Sequence, residues 1–392
     1  MPPPSGRARR SRRHGLPHAD AEQVPMGDQW TQFGTRLLRN ATKKAVVARP
    51  DHRVSSRQRV KREHQPFGTG YPHRSHPVLW QEFCTRPWEG AFVNIFLVHL
   101  GAHYGRAAAS PPLGLLSLAA WAREKRRGLN FTVLDQYLER IDYDEVIRRI
   151  LASQPDIVAF SYMTRASPFV PDITAQLKRA LPNCTILLGG PHPSASEHAE
   201  LEVSHADALV SGEGERSFEL ILDAIASGST FVDIPGLFWR DADGAIIRNP
   251  GSPLAVEDLD TLPFIAYDLV DVEKYWQVQS QSVIIGARKY MTLFTSRGCP
   301  YRCIYCHDVF GKTFRAQSAE RVVAEIEHIQ ARYGVHEFDF MDDIFNLHKP
   351  RVYRFSELVN QKNLKLKLTM GNGVRTDILT QEVVDAMVDA GV

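Results

Sequence analysis

The sequence predicts an α/β protein in which helices cover mainly parallel sheets. Two stretches, residues 91–232 and 290–392, each alternate short apolar runs with amphipathic helical patterns, which is typical of successive βα units. A third observation is a loop directly after the first apolar run of the second stretch, where three cysteines fall within eight residues. The first stretch predicts a Rossmann-like sheet, and the second predicts three βα units of a barrel.

The first stretch contains five predicted strands and four predicted helices. The strands are expected at 93–98, 131–134, 156–160, 185–188 and 206–210, and the helices at 112–122, 143–151, 173–181 and 215–226. Because a doubly wound sheet binds its ligand outside the carboxyl ends of its strands, the loops at those ends are the candidate binding segments.

The second stretch begins with a strand at 290–295. Ser318 is expected to cap a helix that ends at Gly334, and the later elements are strands at 337–341 and 364–369 and helices at 351–360 and 381–390. Residues 233–289 form a predicted connector, with a hairpin around the Asp243-Gly244 turn.

Composition narrows the class of protein. With 392 residues, 43% hydrophobic and 23% charged, the chain has room for two or three soluble domains, and none of its apolar runs reaches the length of a membrane span. Five cysteines without a regular framework favour a reducing compartment, so we expect a cytoplasmic location.

The basic residues are concentrated in residues 1–90. This segment has 17 of the 47 Lys and Arg and 7 of the 45 Asp and Glu, which leaves 30 against 38 for the remainder. The mildly acidic remainder argues against nucleic-acid binding by the folded domains. The segment itself, with little hydrophobic periodicity, is expected to be a disordered extension. A nucleic-acid tail, a targeting segment and an extension without function all remain open.

Cys299, Cys303 and Cys306 are the candidate metal ligands. Thiolates suit a soft metal or an iron–sulfur cluster, and three of them without a fourth nearby leave one metal position open. The alternative is a zinc knuckle or a redox thiol group, although His307 does not complete a regular finger spacing.

The Cys-x3-Cys-x2-Cys spacing at the end of a strand resembles the radical S-adenosylmethionine (radical SAM) superfamily. The resemblance implies that the cysteines hold a 4Fe-4S cluster, that SAM chelates the fourth iron, and that one electron cleaves SAM to a 5′-deoxyadenosyl radical. It also implies an external electron donor such as flavodoxin or ferredoxin. The implied SAM contacts are Tyr305 (adenine), Asp342 and Asp343 (amino group), Asn372 and Arg375 (ribose or carboxylate) and Arg315 (carboxylate).

Loops of the first stretch resemble the cobalamin-binding domain that precedes the catalytic domain in one class of radical SAM enzymes, over residues 93 to about 225. The implied cobalamin contacts are Pro112, Gly114, Ser161, Thr164, Gly189, Gly190, His192, Gly212, Glu213 and Gly214. The loop 99–105 departs from the Asp-x-His-x-x-Gly motif, so the resemblance does not extend to cobalt coordination by His103. A sheet that has lost its cofactor is the alternative.

The resemblance as a whole is to cobalamin-binding radical SAM proteins, a family that includes methyltransferases and the anaerobic magnesium-protoporphyrin ester cyclase. It implies a disordered extension (1–90), a Rossmann-like cobalamin-binding domain (91–232), a linker (233–289) and the first half of a (β/α)6 partial barrel (290–392). The expected activity is methylation or oxidative cyclisation of an unactivated carbon in a small-molecule substrate. A truncated, inactive cluster- or cobalamin-binding protein and a zinc-binding adaptor are the alternatives.

Overall fold

The computed structural model describes residues 92–101, 109–280 and 288–392. The expected extension over 1–90 and the histidine at 103 lie outside these residues. In the described ranges, no helix has both the length and the apolar character needed to cross a bilayer.

The first sheet has seven strands in the order β2-β1-β3-β4-β5-β6-β7. These strands are β1 (Val93–Leu100), β2 (Leu129–Asp135), β3 (Ile157–Tyr162), β4 (Thr185–Gly189), β5 (Ala208–Leu209), β6 (Phe238–Arg240) and β7 (Ile246–Arg248). Strands β1 to β5 pair in parallel, which confirms the predicted Rossmann-like sheet.

Seven helices accompany this sheet in the described chain. They are α1 (Leu113–Lys125), α2 (Gln136–Glu139), α3 (Tyr143–Ser153), α4 (Val170–Ala180), α5 (Pro191–Ser196), α6 (His198–Val203) and α7 (Glu215–Ser227). Of these, α1, α3, α4 and α7 correspond to the predicted helices.

Burial on both faces explains why the central strands are continuously apolar. Ile95 and Leu97 pack with α1 and α7 on one face, while Phe96 and Val98 pack with α3 and α4 on the other. No polar alternation is needed in a strand that lacks a solvent face.

The hairpin predicted in the connector forms, and it also joins the first sheet. Strands β6 and β7 pair antiparallel, and β6 also pairs antiparallel with β5, so the hairpin extends the first sheet. After it, α8 (Val272–Trp276) leads toward the second sheet.

The second sheet has three parallel strands in the order β12-β11-β8. These are β8 (Tyr290–Leu293), β11 (Glu337–Phe340) and β12 (Lys367–Met370), covered by α9 (Ala319–Tyr333), α10 (Lys349–Gln361) and α11 (Gln381–Asp389). An antiparallel ribbon of β9 (Ser296–Arg297) and β10 (Arg315–Ala316) follows β8. As predicted, Ser318 caps α9, its Oγ accepting a hydrogen bond from the Arg321 N–H, and Gly334 ends the helix.

Some predicted boundaries were wrong. Strand β12 begins at Lys367 instead of Leu364, because Asn363 adopts a left-handed turn (φ 52°) and the Leu364 N–H bonds back to the Val359 carbonyl. Helix α4 begins at Val170, since Pro171 is tolerated in the first turn of a helix.

Candidate functional site

A cavity of about 460 Å³ lies at the carboxyl ends of the strands of both sheets. From the first sheet it is lined by the segments after β1, β3, β4 and β5. From the second it is lined by residues of β8, of the ribbon, of the loop that joins the two ribbon strands and of the segments after β11 and β12. Its walls are mainly apolar, including Leu118, Phe160 and Phe294. We call it the shared cavity. Its size is that of a typical small-molecule site.

Two glycines allow close approach at this cavity. Gly190 has φ 92°, and a Cβ atom there would lie 2.6 Å from Ser161 Oγ and 3.0 Å from the Tyr162 nitrogen. Gly212 has φ 76°, and its Cβ position would lie 3.4 Å from the Val309 carbonyl oxygen of the second half. Only glycine satisfies both the backbone conformation and the space at Gly190.

Ten of the sequence-predicted residues line the shared cavity. They are Pro112, Gly114, Ser161, Gly189, Gly190, Gly212, Glu213, Gly214, Asp343 and Asn372. The other nine are absent from its wall: Thr164, His192, Cys299, Cys303, Tyr305, Cys306, Arg315, Asp342 and Arg375.

His192 and Thr164 take part in a network beside the cavity. The His192 Nδ1 atom lies 3.1 Å from Thr164 Oγ1, and its Nε2 atom lies 3.1 Å from Glu200 Oε2. Glu200 is buried and also accepts a hydrogen bond from the Tyr162 hydroxyl at 2.6 Å. His192 and Thr164 therefore lie beside the cavity and not in its wall, and their contact with cobalamin stays a prediction.

A histidine–carboxylate pair at the ends of β1 and β2 was missed from the sequence. His99 lines the cavity, and its Nδ1 atom lies 3.0 Å from Asp135 Oδ1, while Asp135 Oδ2 accepts a hydrogen bond from the Tyr275 hydroxyl at 2.8 Å. Burial opposes the charge on His99, but the neighbouring Asp135 carboxylate outweighs it and raises the histidine pKa. The sequence did carry a signal for this pair, because a histidine and an aspartate lie at the carboxyl ends of adjacent strands.

The cysteine loop, residues 298–314, joins β9 to β10. Its backbone is closed by hydrogen bonds from the Cys299 N–H to the Gly311 carbonyl (3.3 Å) and from the Cys306 N–H to the Cys303 carbonyl (3.1 Å). Cys306 is exposed, and Cys299 and Cys303 are partly exposed.

Three thiols on one loop fit an iron–sulfur cluster by type and number of donors. Across 92–101, 109–280 and 288–392, no group of three His, Cys, Asp or Glu side chains converges into a metal-binding arrangement. Tyr305, the proposed adenine contact, is 89% exposed. The fit to a cluster therefore rests on the type and number of the thiol donors.

The two carboxylates after β11 differ in their surroundings. Asp343 lines the cavity and lies 3.1 Å from His307 Nε2, a contact that raises the histidine pKa. Asp342 is buried and accepts hydrogen bonds from the Thr295 N–H (2.6 Å), the Thr295 hydroxyl (2.5 Å) and the Ser296 hydroxyl (2.7 Å). Burial raises the Asp342 pKa, and its oxygens are already used, so the geometry favours Asp343 for a ligand contact.

Asn372 and Arg375 follow β12. Asn372 lines the cavity and donates from Nδ2 to the Met341 carbonyl at 2.9 Å. Arg375 pairs with Asp377 at 2.5 Å, and its guanidinium carbon lies 3.6 Å from the centre of the Tyr301 ring in the cysteine loop. Arg375 therefore contacts the loop and not the cavity.

Arg315 is buried at the end of the cysteine loop, where its guanidinium group is paired with other groups of the protein. It forms an ion pair with Glu213, and its Nη1 atom donates to the Val256 carbonyl at 2.6 Å. Arg297, at the other end of the loop, binds Glu213 and Glu215, each at 2.7 Å. Glu213, expected to contact cobalamin, and Arg315, expected to contact SAM, thus bind each other.

Comparison with known proteins finds two matching families. Residues 106–222 match the B12 binding domain, and residues 293–392 match the Radical SAM superfamily. An uncharacterised methyltransferase of Pyrococcus horikoshii is 31% identical over 284 residues, 72% of this chain and 59% of the relative. The anaerobic magnesium-protoporphyrin IX monomethyl ester cyclase of Synechocystis is 28% identical over 276 residues, 69% of this chain and 52% of the relative.

A solved structure shares the fold. The radical SAM methyltransferase TsrM of Kitasatospora setae, with cobalamin and a [4Fe-4S] cluster bound, matches with a TM-score of 0.59 and 21% identity, over 76% of this chain and 57% of TsrM. The chain thus spans roughly half to three fifths of the length of the proteins it resembles.

Proposed function

We propose that this chain binds cobalamin, SAM and a 4Fe-4S cluster, because it belongs to the proteins that join a B12 binding domain to a radical SAM domain. The whole protein would be an enzyme that methylates or oxidatively cyclises an unactivated carbon of a small molecule. The observation that carries the proposal is the shared cavity, because the strand ends of both domains face one space. Two cofactors held by different domains could meet there.

The cavity wall fits such ligands. Apolar side chains and closely packed glycine backbone suit a large flat ring on the side of the first sheet. On the other side, Thr292 Oγ1 is buried and has no hydrogen-bond partner among the described residues, as expected of a group whose partner is a ligand.

When bound, the cluster supplies the electron that cleaves SAM, and cobalamin supplies a methyl carrier or a second redox centre. The residues of this chain have the positioning roles. The thiolates of the cysteine loop would hold iron, and the Asp343 carboxylate would accept a hydrogen bond from the SAM ammonium group. Asn372 would contact the same ligand, and the glycine segments after β4 and β5 would support cobalamin.

The finer expectations belong to the same proposal. An external donor such as flavodoxin or ferredoxin would reduce the cluster, and a reducing cytoplasm would preserve it. The domain limits proposed are 91–232 for the cobalamin-binding part, 233–289 for the linker and 290–392 for the radical SAM part.

Electron paramagnetic resonance tests the proposal. The chain would be reconstituted with iron and sulfide without oxygen, reduced, and measured with and without SAM. We expect a 4Fe-4S signal that changes when SAM is added, and a change in the absorbance of hydroxocobalamin when the apoprotein is added. A cluster signal indifferent to SAM would reject the SAM site, and bound zinc without a cluster would reject the radical chemistry.

A further inference from the structure

Both ends of the cysteine loop are bound to one glutamate. Arg297 immediately precedes the loop and Arg315 immediately follows it, and the two face each other in the ribbon β9–β10. The Arg297 Nη1 atom donates to Glu213 Oε2 at 2.7 Å, and the Arg315 Nη2 atom donates to Glu213 Oε1. Each oxygen of the carboxylate therefore holds one end of the loop.

The side chains of this contact are removed from water. Glu213, Arg297 and Arg315 have side-chain exposures of 3%, 7% and 8%. The second arm of Arg297 binds Glu215, which also accepts a hydrogen bond from the Ser117 hydroxyl at 2.6 Å. Two arginines and two glutamates balance in charge, and removing one partner of such a group leaves a buried charge uncompensated.

Between these ends the loop makes a few further contacts, such as the Tyr301 ring with Arg375 and His307 with Asp343. Ile304, Tyr305 and Cys306 are exposed, while the residues of the ribbon at either end are buried or nearly so. Exposed segments with few buried contacts open at low free-energy cost. The ends of the loop are held by buried ion pairs, so the position of the thiols depends in part on where these ends lie.

The glutamate comes from the other half of the molecule. Glu213 lies between Gly212 and Gly214 in the segment after β5, and all three residues line the shared cavity. The segment that forms part of the cavity wall is thus the same one that holds the cysteine loop. Its sequence, Gly-Glu-Gly-Glu, indicated a ligand contact, whereas its first carboxylate is occupied by protein.

We propose that Glu213 is a positioning residue that clamps both ends of the cysteine loop and so sets the geometry of its thiols. The clamp itself is independent of any cofactor. Its consequence for metal binding rests on the proposed function, because it requires that the cysteines bind a soft metal.

Hydrogen exchange of the full chain tests the clamp. In Glu213→Gln, we expect the amides of Cys299 and Gln317, which bond to the Gly311 and Thr295 carbonyls, to exchange about tenfold faster than in the wild type. The matched control is Glu200→Gln, which removes another buried carboxylate of the first half whose observed hydrogen bonds, from Tyr162, Ser167 and His192, all lie away from the loop. Unchanged exchange in Glu213→Gln, or an equal change in both variants, would overturn the proposal.

Anaerobic titration with cobalt(II), followed by thiolate-to-cobalt charge-transfer absorbance, tests the consequence. We expect Glu213→Gln to weaken the apparent affinity about tenfold and Glu200→Gln to leave it unchanged, because only the first variant disperses the thiols. Equal affinities in the wild type and in Glu213→Gln would overturn the positioning role. A wild-type chain that binds no cobalt would contradict the metal function proposed above, while hydrogen exchange would still decide on the clamp.

Arg315→Gln provides a second variant if Glu213→Gln does not fold. It leaves Glu213 paired with Arg297, so no carboxylate is left without a cationic partner. We expect faster exchange at Gln317 and a smaller change at Cys299. A uniform change at both amides would show that the two ends are not held separately, and would overturn the clamp.

Discussion

The first-sheet side of the shared cavity and the cysteine loop differ in how closely they are packed. At the ends of the first sheet, backbone packs closely against backbone, as at Gly190 beside Ser161 and Tyr162. In the cysteine loop, closely held ends enclose a segment whose side chains are largely exposed. The comparison teaches that the first-sheet side of the cavity is shaped by closely packed backbone, whereas the thiols lie on a largely exposed segment between two buried ends.

The largest expected effect comes from comparing two cysteine substitutions, one in the exposed loop and one at a buried position. Cys306→Ser should abolish cluster formation, because it removes one of three donors, and should change the unfolding free energy of the apoprotein by less than about 0.5 kcal/mol, because Cys306 is exposed. Iron and sulfide analysis and urea unfolding measure the two effects. Cys184→Ser is the control: it should keep the cluster and lose about 1–2 kcal/mol, because Cys184 is buried. A stable cluster in Cys306→Ser would break the comparison.

Substitutions of the two adjacent carboxylates after β11 should differ in their effects on stability and on ligand binding. Asp342→Ala should lower the unfolding free energy by about 3 kcal/mol, because three buried donors lose their acceptor. Asp343→Ala should lower it by less than about 1 kcal/mol, because its partner His307 is exposed, while weakening SAM binding. Urea unfolding and SAM titration by calorimetry measure these effects. Equal losses of stability would contradict the division of roles.

A third test concerns the glycines of the first sheet. Gly190→Ala should cost about 2 kcal/mol, because the backbone has φ 92° and the new methyl group would meet Ser161. Gly114→Ala, in helix α1 with nothing within 4 Å of the new atom, should leave the unfolding free energy unchanged or raise it by up to about 1 kcal/mol. Urea unfolding of both variants measures the difference. If Gly190→Ala retained full stability, the first site would not be as closely built as described.

The smallest effect is a pH dependence of stability. Because the His99 pKa is raised in the folded chain, the contribution of this residue is fully present below its ordinary pKa of about 6.5 and is lost as the pH rises through the folded value. The unfolding free energy should therefore fall as the pH rises above about 6.5. The substitution His99→Gln should remove this part of the pH dependence. Chemical unfolding at several pH values measures it. Identical slopes in the wild type and the variant would show that the pair with Asp135 contributes nothing.

The order of strands and helices was predicted well, because hydrophobic periodicity and the burial that it indicates are local features of the sequence. Continuous apolar runs such as β1 predict strands covered on both faces, and Ser318 and Gly334 mark the ends of a helix. The pairing of the hairpin with β5 could not be predicted, because the choice of a strand neighbour depends on contacts distant in sequence.

Residues that line the cavity could be predicted where a backbone requirement shows in the residue type, as with Gly190 and Gly212. The protein partner of a charged side chain could not be predicted in the same way. Glu213 and Arg315 were expected to contact different cofactors, yet they form an ion pair across 102 positions of sequence. A carboxylate or guanidinium group is equally suited to a ligand or to another side chain, so only the folded arrangement distinguishes these uses.

The hairpin on the first sheet has a consequence for encounters between molecules. A parallel sheet that ended at β5 would present unpaired backbone groups, which can recruit a strand from another chain. Strands β6 and β7 occupy that position, and the outermost strand is only three residues long and ends at the exposed Arg248. A short edge that ends in a charge offers little for another chain to pair with, so at high concentration this side of the protein should resist self-association.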